Sequence, residues 1–473
     1  MQQGKVYLVG AGPGDPALIT LKGARCIERA DLVLYDGLVN PLLLLPARGR
    51  VERTCRSEDP QGRRLAQQQI NERLIAEASQ GLVVVRLKGG DPFIFGRGGE
   101  EAEALERAGI PYEVVPGVTA AVGAAAYAGI ALTHRESASA VAFVTGHEDP
   151  QKGEASLDYQ ALARFPGTLV FYMGLHQIER ITQALAARGK DPFTPCAVVS
   201  RATTAAQRTV TAPLVGLAEA ARQAGLHAPS LIIVGECVLK RDVIRWYERK
   251  PLFGLRVGVA RAVGQAAEPI DRLCELGAQP VLMPTIEILP PESWLEVDRA
   301  LASLESFDWL VFTSANGVQS LLDRLWQRGA DLRCLKNAQI AVIGEATAQA
   351  LERYHLRADL MPEEFRGEAL ASALAPHVRG RHVLWARANR GRNVLPIALR
   401  EAGAAVHELV VYRNRDLPNL PAEARAALEA GSVHYVCLTS PSIARSFARL
   451  LPESARAHLE SPLNFASISP VTS

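Results

Sequence analysis

The run Arg86-Leu-Lys-Gly-Gly-Asp-Pro-Phe-Ile-Phe-Gly-Arg-Gly-Gly-Glu-Glu101 restricts what this chain can fold into more than any other stretch. The β-branched residues Val83-Val84-Val85 lead into it and read as a buried strand. Gly89 and Gly90 let the backbone turn sharply or approach a ligand closely. Asp91 then falls just past the strand end, where α/β folds place their ligands, and Pro92 stops the strand. Gly98-Gly99 precede Glu100-Glu101 and a helical pattern that ends near Gly109. The stretch is either a glycine-rich βα loop with solvated charges or a ligand loop.

The chain around it has 473 residues, enough for two to four domains. Its 52 basic and 50 acidic residues nearly cancel, which argues against nucleic acid as a partner. Arginines can still gather around an anionic small molecule. No signal pattern and no membrane-length apolar run is visible, so the expectation is a cytoplasmic protein without a membrane partner. The cysteines Cys26, Cys55, Cys196, Cys237, Cys274, Cys334 and Cys437 form no CxxC pair. They read as reduced thiols, and no metal site is expected.

Strand and helix patterns alternate throughout, which predicts an α/β class. Strands are expected at 5–9, 31–36, 83–85, 112–115, 140–146, 168–174, 197–200 and 231–235. Segment 50–66 is polar with no clear period. A subdomain boundary is expected near residue 135, and 240–254 reads as a connector. Alternation restarts at Arg256 and runs through strands at 281–284, 309–313, 339–344, 382–386, 406–412 and 435–439.

Gly10-Ala-Gly-Pro-Gly-Asp15 follows the first strand and resembles a dinucleotide turn. The third glycine of that fingerprint is replaced by Asp15, whose charge would repel a pyrophosphate. Asp36 does end the second strand about where a ribose-binding acid sits, so NAD stays open as an alternative. Acids and carbonyls around glycine turns suit a cationic ligand with hydroxyls better, and S-adenosylmethionine is one.

The motifs VGAGPGD at 9–15, ADLVLYD at 30–36, VVRLKGGDPFIFGRGGEE at 84–101, PGVTAAVGAAAYAGIALTHR at 116–135, VTGH at 144–147, LVFYMG at 169–174 and PSLIIVG at 229–235 together resemble uroporphyrinogen-III C-methyltransferase over residues 4–248. The resemblance implies a tetrapyrrole methyltransferase fold of two subdomains, about 1–135 and 136–248, holding S-adenosylmethionine between them in a homodimer. It implies that Pro13, Gly89, Gly90, Asp91, Ile94, Thr119, Ala120 and Met173 line the methyl-donor site, with Ala202 where the family usually has glycine. It puts Arg97, Glu100 and Arg135 at substrate-contacting positions. Arginine suits a carboxylate-rich tetrapyrrole because its fork binds carboxylates bidentately. Asp36 matches the family's proposed base; as a residue type it is equally a turn-capping aspartate. The family lysine that follows this acid is absent, and Thr54-Cys55-Arg56 stands in its place.

Past a short linker at 249–253, a second resemblance begins. VGVAR at 257–261, Gln265, MPTIEILP at 283–290, FTSANGV at 312–318, VIGEATA at 342–348, VVYR at 410–413 and TSPSIA at 439–444 resemble uroporphyrinogen-III synthase over 254–473. That family has two α/β lobes, implied here as 254–287 with 412–473, and 288–411. A linear tetrapyrrole lies between the lobes. Tyr412 matches a tyrosine that assists loss of the substrate hydroxyl. Thr313, Ser314, Thr439 and Ser440 end strands, where their hydroxyls either bind carboxylates or simply cap helices. Arg261 and Arg387 are candidate carboxylate ligands. The family continues by roughly a helix, strand and helix past Ser473, which leads to the expectation of weakened synthase activity.

The sequence therefore predicts a bifunctional enzyme. Its first half methylates uroporphyrinogen III to precorrin-2, and its second makes uroporphyrinogen III from hydroxymethylbilane. The alternatives are an NAD-dependent tetrapyrrole reductase and a non-catalytic tetrapyrrole-binding protein.

Overall fold

β-Branched and leucine-rich runs separated by glycine turns build the strands, and most are buried. The computed structural model describes residues 4–54, 67–146, 157–336, 338–456 and 463–467. Cys55, Arg56, His147, Thr472 and Ser473 lie outside them. In chain order the strands are β1 (Lys5–Gly10), β2 (Leu32–Asp36), β3 (Arg50–Thr54), β4 (Val83–Lys88), β5 (Tyr112–Val115), β6 (Val141–Thr145), β7 (Thr168–Tyr172), β8 (Pro195–Ser200), β9 (Arg208–Pro213) and β10 (Ser230–Val234). They continue with β11 (Arg256–Val259), β12 (Gln279–Leu282), β13 (Ile286–Leu289), β14 (Trp309–Phe312), β15 (Gln339–Val342), β16 (His382–Ala388), β17 (Ala405–Asp416), β18 (Tyr435–Leu438) and β19 (Asn464–Ser467).

The first sheet is wholly parallel, in the order β3-β2-β4-β1-β5. Side chains alternate across it. Leu32, Leu34 and Val84 meet Ile70, Leu74 and Leu105, from helices Gln67–Ser79 and Gly98–Arg107. Val33, Val85 and Leu87 meet Ile27 from helix Leu21–Arg29 on the other face. β4, buried from Val84 to Lys88, thus delivers Gly89-Gly90-Asp91 to the carboxyl edge of the sheet.

The second sheet, β6-β7-β10-β8-β9, is mixed: only β6 and β7 run parallel, and the other pairs are antiparallel. The small-residue helix Ala120–Ala128 leaves the first sheet and packs on this one, with Ala121, Ala124 and Ala125 against Val170, Val199 and Ile233. Its alanines allow the close approach that joins the two layers.

The connector at 240–254 is docked rather than extended. Arg241 is buried, donates to the Ala128 carbonyl and pairs with Glu248. Trp246 donates to the Ala126 carbonyl at 2.9 Å, and Tyr127, Trp246, Tyr247 and Phe253 form a chain of ring contacts. Leu42 of the first half packs against Val259, Ala266 and Ile270 of the second.

The second half holds a parallel sheet, β12-β11-β18-β19, and a larger sheet, β13-β17-β16-β14-β15, in which only β13 and β17 are antiparallel. β17 is long. It pairs with β16 at its start and with β13 at its end, so the two-stranded ribbon at 286–289 and 413–416 bridges the two sheets. Among the described residues no helix is long and apolar enough to cross a membrane.

Candidate functional sites

The glycine turns after β1, β4 and β5 meet at one point. Gly12 and Gly90 exchange backbone hydrogen bonds of 3.2 and 2.8 Å. Asp91 Oδ2 accepts from Gly117 N at 2.9 Å, and its Oδ1 accepts from Phe93 N at 2.8 Å. A Cβ on Gly117 would stand 2.4 Å from the Gly90 oxygen, so three backbone segments form the floor themselves. Gly90 has φ +69°, and a Cβ there would meet nothing nearer than Ala120 N at 3.6 Å. Carbonyls and a carboxylate surround this turn. That donor set suits the cationic sulfonium and ribose hydroxyls of S-adenosylmethionine.

The second sheet supplies the opposite wall. Tyr172, at the end of β7, shares a 2.7 Å hydrogen bond with Thr119 Oγ1 and accepts from Ala121 N at 2.9 Å. Burial pushes its phenol pKa upward. Met173 follows at φ +55° and is half exposed. Phe95 stacks on Tyr172 with ring centres 4.8 Å apart, which brings the neighbouring Ile94 to this region. Pro13 packs on Gly123, and the Ala202 carbonyl lies 3.1 Å from the Cβ position of Gly14. The structure thus gathers Pro13, Gly90, Asp91, Thr119, Ala120, Met173 and Ala202 between the two sheets. A Cβ on Gly89 would meet Leu38 at 3.2 Å. Sequence reasoning missed Tyr172 and Phe95, although a strand-ending tyrosine two residues before a glycine was a readable signal.

A buried ionic cluster lies beneath the turn. Arg86 and Lys88 are two apart on β4, point to one face and are both sealed from solvent. Glu101 Oε1 accepts from Arg86 Nε at 3.1 Å, Lys88 Nζ at 2.9 Å and Gln67 Nε2 at 3.1 Å. Arg86 also pairs with Asp36, whose Oδ1 accepts from Thr54 Oγ1 at 3.1 Å. Burial opposes the charge of Arg86, but Asp36 and Glu101 outweigh it and its pKa is raised. Burial pushes the Lys88 ammonium down to about 8, with Arg86 acting in the same direction and Glu101 against it. These charges are structural neighbours of Asp36 rather than solvated loop residues.

Arg97 and Glu100 form a bidentate pair with each other, at 2.7 and 2.6 Å, on the exposed side of the loop. Glu100 thus occupies the Arg97 fork in this structure. Arg135 is exposed and has no side-chain partner among the described residues.

In the second half, Ser314 caps helix Ala315–Gln327 by accepting from Gly317 N at 3.1 Å, and it shares a 3.0 Å hydrogen bond with the Tyr412 hydroxyl. Tyr412 is buried in the core at the ribbon. Thr313 Oγ1 accepts from Trp385 Nε1 at 3.1 Å. Ser440 caps helix Pro441–Leu450, next to Thr439. Gln265, from the turn after β11, donates to Asn316 in helix Ala315–Gln327 at 2.8 Å. Arg387 does not offer a free fork: it pairs with Glu408 and stacks over Trp385 at 4.4 Å. The expected carboxylate ligand is thus held by a carboxylate of its own chain.

Two family descriptions match in tandem: Tetrapyrrole (Corrin/Porphyrin) Methylases over residues 5–218 and Uroporphyrinogen-III synthase HemD over 268–473. The porphyrin biosynthesis protein HemD of Ruminiclostridium josui is 34% identical over 94% of this chain and 89% of its own. The uroporphyrinogen-III C-methyltransferase of Bacillus subtilis is 38% identical over 75% of this chain and 72% of its own. A solved uroporphyrin-III C-methyl transferase from Thermus thermophilus, complexed with S-adenyl homocysteine, is 41% identical, covers 50% of this chain and 93% of that one, and has a TM-score of 0.43. With both family patterns in order, and a relative aligned along nearly the whole length, the chain belongs to the fused uroporphyrinogen-III methyltransferase–synthase family of tetrapyrrole biosynthesis.

Proposed function

We propose that the first half transfers methyl groups from S-adenosylmethionine to two ring carbons of uroporphyrinogen III, giving precorrin-2. The second half, on the same reading, cyclises hydroxymethylbilane to uroporphyrinogen III. The carrying observation is the meeting of Gly12, Gly90, Asp91, Gly117 and Thr119 with Tyr172 between two sheets. The methyl donor supplies an already activated group, so alignment is the protein's main task. Asp91 fixes the β4 and β5 turns, and Thr119 with Tyr172 joins the second sheet to them. Asp36, at the end of β2 and side-chain exposed by 22%, is the group assigned to take the ring proton. Arg97 and Arg135 are assigned to substrate carboxylates. In the synthase half, Tyr412 and Ser314 form one hydroxyl pair that assists departure of the substrate hydroxyl, and Arg261, Thr439 and Ser440 are assigned to substrate carboxylates.

The units we assign are 1–248, split near 135, then 249–253 as linker and 254–473, with lobes of 254–287 plus 412–473 and 288–411. A homodimer formed through the first half, a cytoplasmic location and a product that feeds sirohaem or cobalamin belong to the same reading. Anaerobic incubation with uroporphyrinogen III and methyl-labelled S-adenosylmethionine tests it. Label in the tetrapyrrole is expected, and its absence removes the methyltransferase reading.

A further inference from the structure

The Gly14–Asp15 turn follows β1 of the first sheet, and the loop holding Thr203 follows β8 of the second. Pro13 and Ala202, both assigned to the methyl donor, are their immediate neighbours. Asp15 N donates to Thr203 Oγ1 at 3.0 Å, which ties one turn to the other. Gly14 permits the approach: at φ +151°, a Cβ there would stand 2.9 Å from that same oxygen. A second tie comes from Tyr127, in the helix that packs on the second sheet, whose hydroxyl donates to Asp15 Oδ2 at 2.7 Å. Burial, and after it this hydrogen bond, raise the Tyr127 pKa, so the phenol stays a donor. From the first-sheet side, Asn40 Nδ2 donates to Gly14 O at 2.8 Å.

Thr203 is held in a strained conformation. Its φ is +65°, in the left-handed region that a β-branched residue rarely enters, and it is 2% exposed. Such strain persists only where the surroundings over-determine it, and it clusters at functional sites. Gln207, itself 3% exposed, holds it: Oε1 accepts from Thr203 N at 3.0 Å. Gln207 Nε2 donates to Tyr127 O at 3.2 Å and to Glu248 Oε1 at 3.1 Å. One amide thus grips both residues that reach Asp15. Glu248 lies in the connector. Its Oε1 also accepts from Thr209 Oγ1 at 3.0 Å, and its Oε2 accepts from Arg241 Nη2 at 2.6 Å. An ionised carboxylate only accepts, so it selects the amide nitrogen of Gln207 and leaves the oxygen for Thr203 N.

With the methyl-donor reading of the two turns as its basis, we propose that Glu248 and Gln207 are positioning residues for the donor. From the connector they fix Thr203 and Tyr127 on Asp15, and so hold the Pro13 and Ala202 walls of the donor cleft at one spacing. Both act through Thr203 and Tyr127 and not on the donor itself. Loosening them lowers the fraction of chains whose cleft is in place, and apparent donor affinity falls by that fraction.

Methyl transfer by the full chain tests this, with the KM for S-adenosylmethionine and for uroporphyrinogen III measured separately and S-adenosylhomocysteine affinity taken by calorimetry. Gln207→Leu, Glu248→Ala and the near-isosteric Thr203→Val should raise the donor KM and weaken S-adenosylhomocysteine binding roughly five- to tenfold, the scale of one lost buried hydrogen bond. The tetrapyrrole KM should not move. Thr203→Ser keeps the hydroxyl and should stay near wild type. Trp246→Phe removes a connector hydrogen bond that leads to Ala126 and not to Asp15, and should leave both KM values unchanged. A purely structural role lowers the active fraction, and hence kcat, without moving either KM. An unchanged donor KM in Thr203→Val and Gln207→Leu, or an equal rise in Trp246→Phe, overturns the proposal. Wild type that fails to bind S-adenosylhomocysteine removes the methyl-donor reading, and the proposal with it.

Discussion

Lys88 provides the sharpest test of the buried cluster. It is 1% exposed, and burial carries its ammonium from an ordinary 10.5 to about 8. A lysine whose folded pKa is depressed binds fewer protons than the unfolded chain between those two values. Stability then rises with pH across the interval from 8 to 10.5. Each pH unit is worth about 1.36 kcal/mol, so the full contribution is roughly 3 kcal/mol. Below pH 8 both states are protonated, and the burial cost stands in full. Other groups act in the opposite direction: Cys196 and Cys274, pushed up to about 12 by burial, stabilise less as the unfolded thiols ionise above 9. The difference between wild type and Lys88→Met cancels those common terms. Pulse proteolysis in urea, read by mass spectrometry on first-sheet peptides, gives that difference at pH 7.5, 8.5, 9.5 and 10. The wild type should gain about 2–3 kcal/mol on the variant across the series. A flat difference would refute the reasoning, because Lys88 would then titrate alike in folded and unfolded chains.

Three further predictions follow from the clefts. Asp91→Ala removes acceptors from Phe93 N and Gly117 N, and at roughly 1.5 kcal/mol or more for each charged hydrogen bond should weaken S-adenosylhomocysteine binding at least tenfold by calorimetry; unchanged affinity would show that the turns hold without it. Glu100→Gln frees the Arg97 fork and should lower the KM for the tetrapyrrole several-fold with little change in kcat, whereas Arg97→Ala should raise it. Tyr412→Phe removes the hydroxyl from Ser314, and synthase kcat should fall about tenfold or more with unfolding midpoints shifted by only a few degrees; an unaltered rate would leave Tyr412 as packing alone.

Local chemistry made much of the fold legible. The valine run before Gly89, the glycines that end helices and the capping serines of 314 and 440 act within a few residues, and each element formed where those signals stand. Four strands, β3, β9, β13 and β19, escaped because their signals are weak or distant. β3 is largely exposed, with charged residues along an edge, and β9 is an edge strand too. β13 is four residues long and is a strand because Ile286–Leu289 pairs with residues 413–416, more than a hundred positions away. The antiparallel order of the second sheet was equally hidden, since alternating strands and helices do not state their direction.

The site divides in the same way. The sequence by itself determined that glycine turns and Asp91 stand at strand ends, because strand period and glycine conformational freedom are local properties. Only the tertiary structure decided which charges are paired within the chain. Arg86 and Lys88 looked like loop charges and are buried under Asp36; Arg387 looked like a free ligand and is held by Glu408; Arg256 drew no notice and has a nitrogen without a partner. Whether a guanidinium is spent or available depends on which distant carboxylate the fold brings within 3 Å, and that pairing is set by packing rather than by neighbours in the chain.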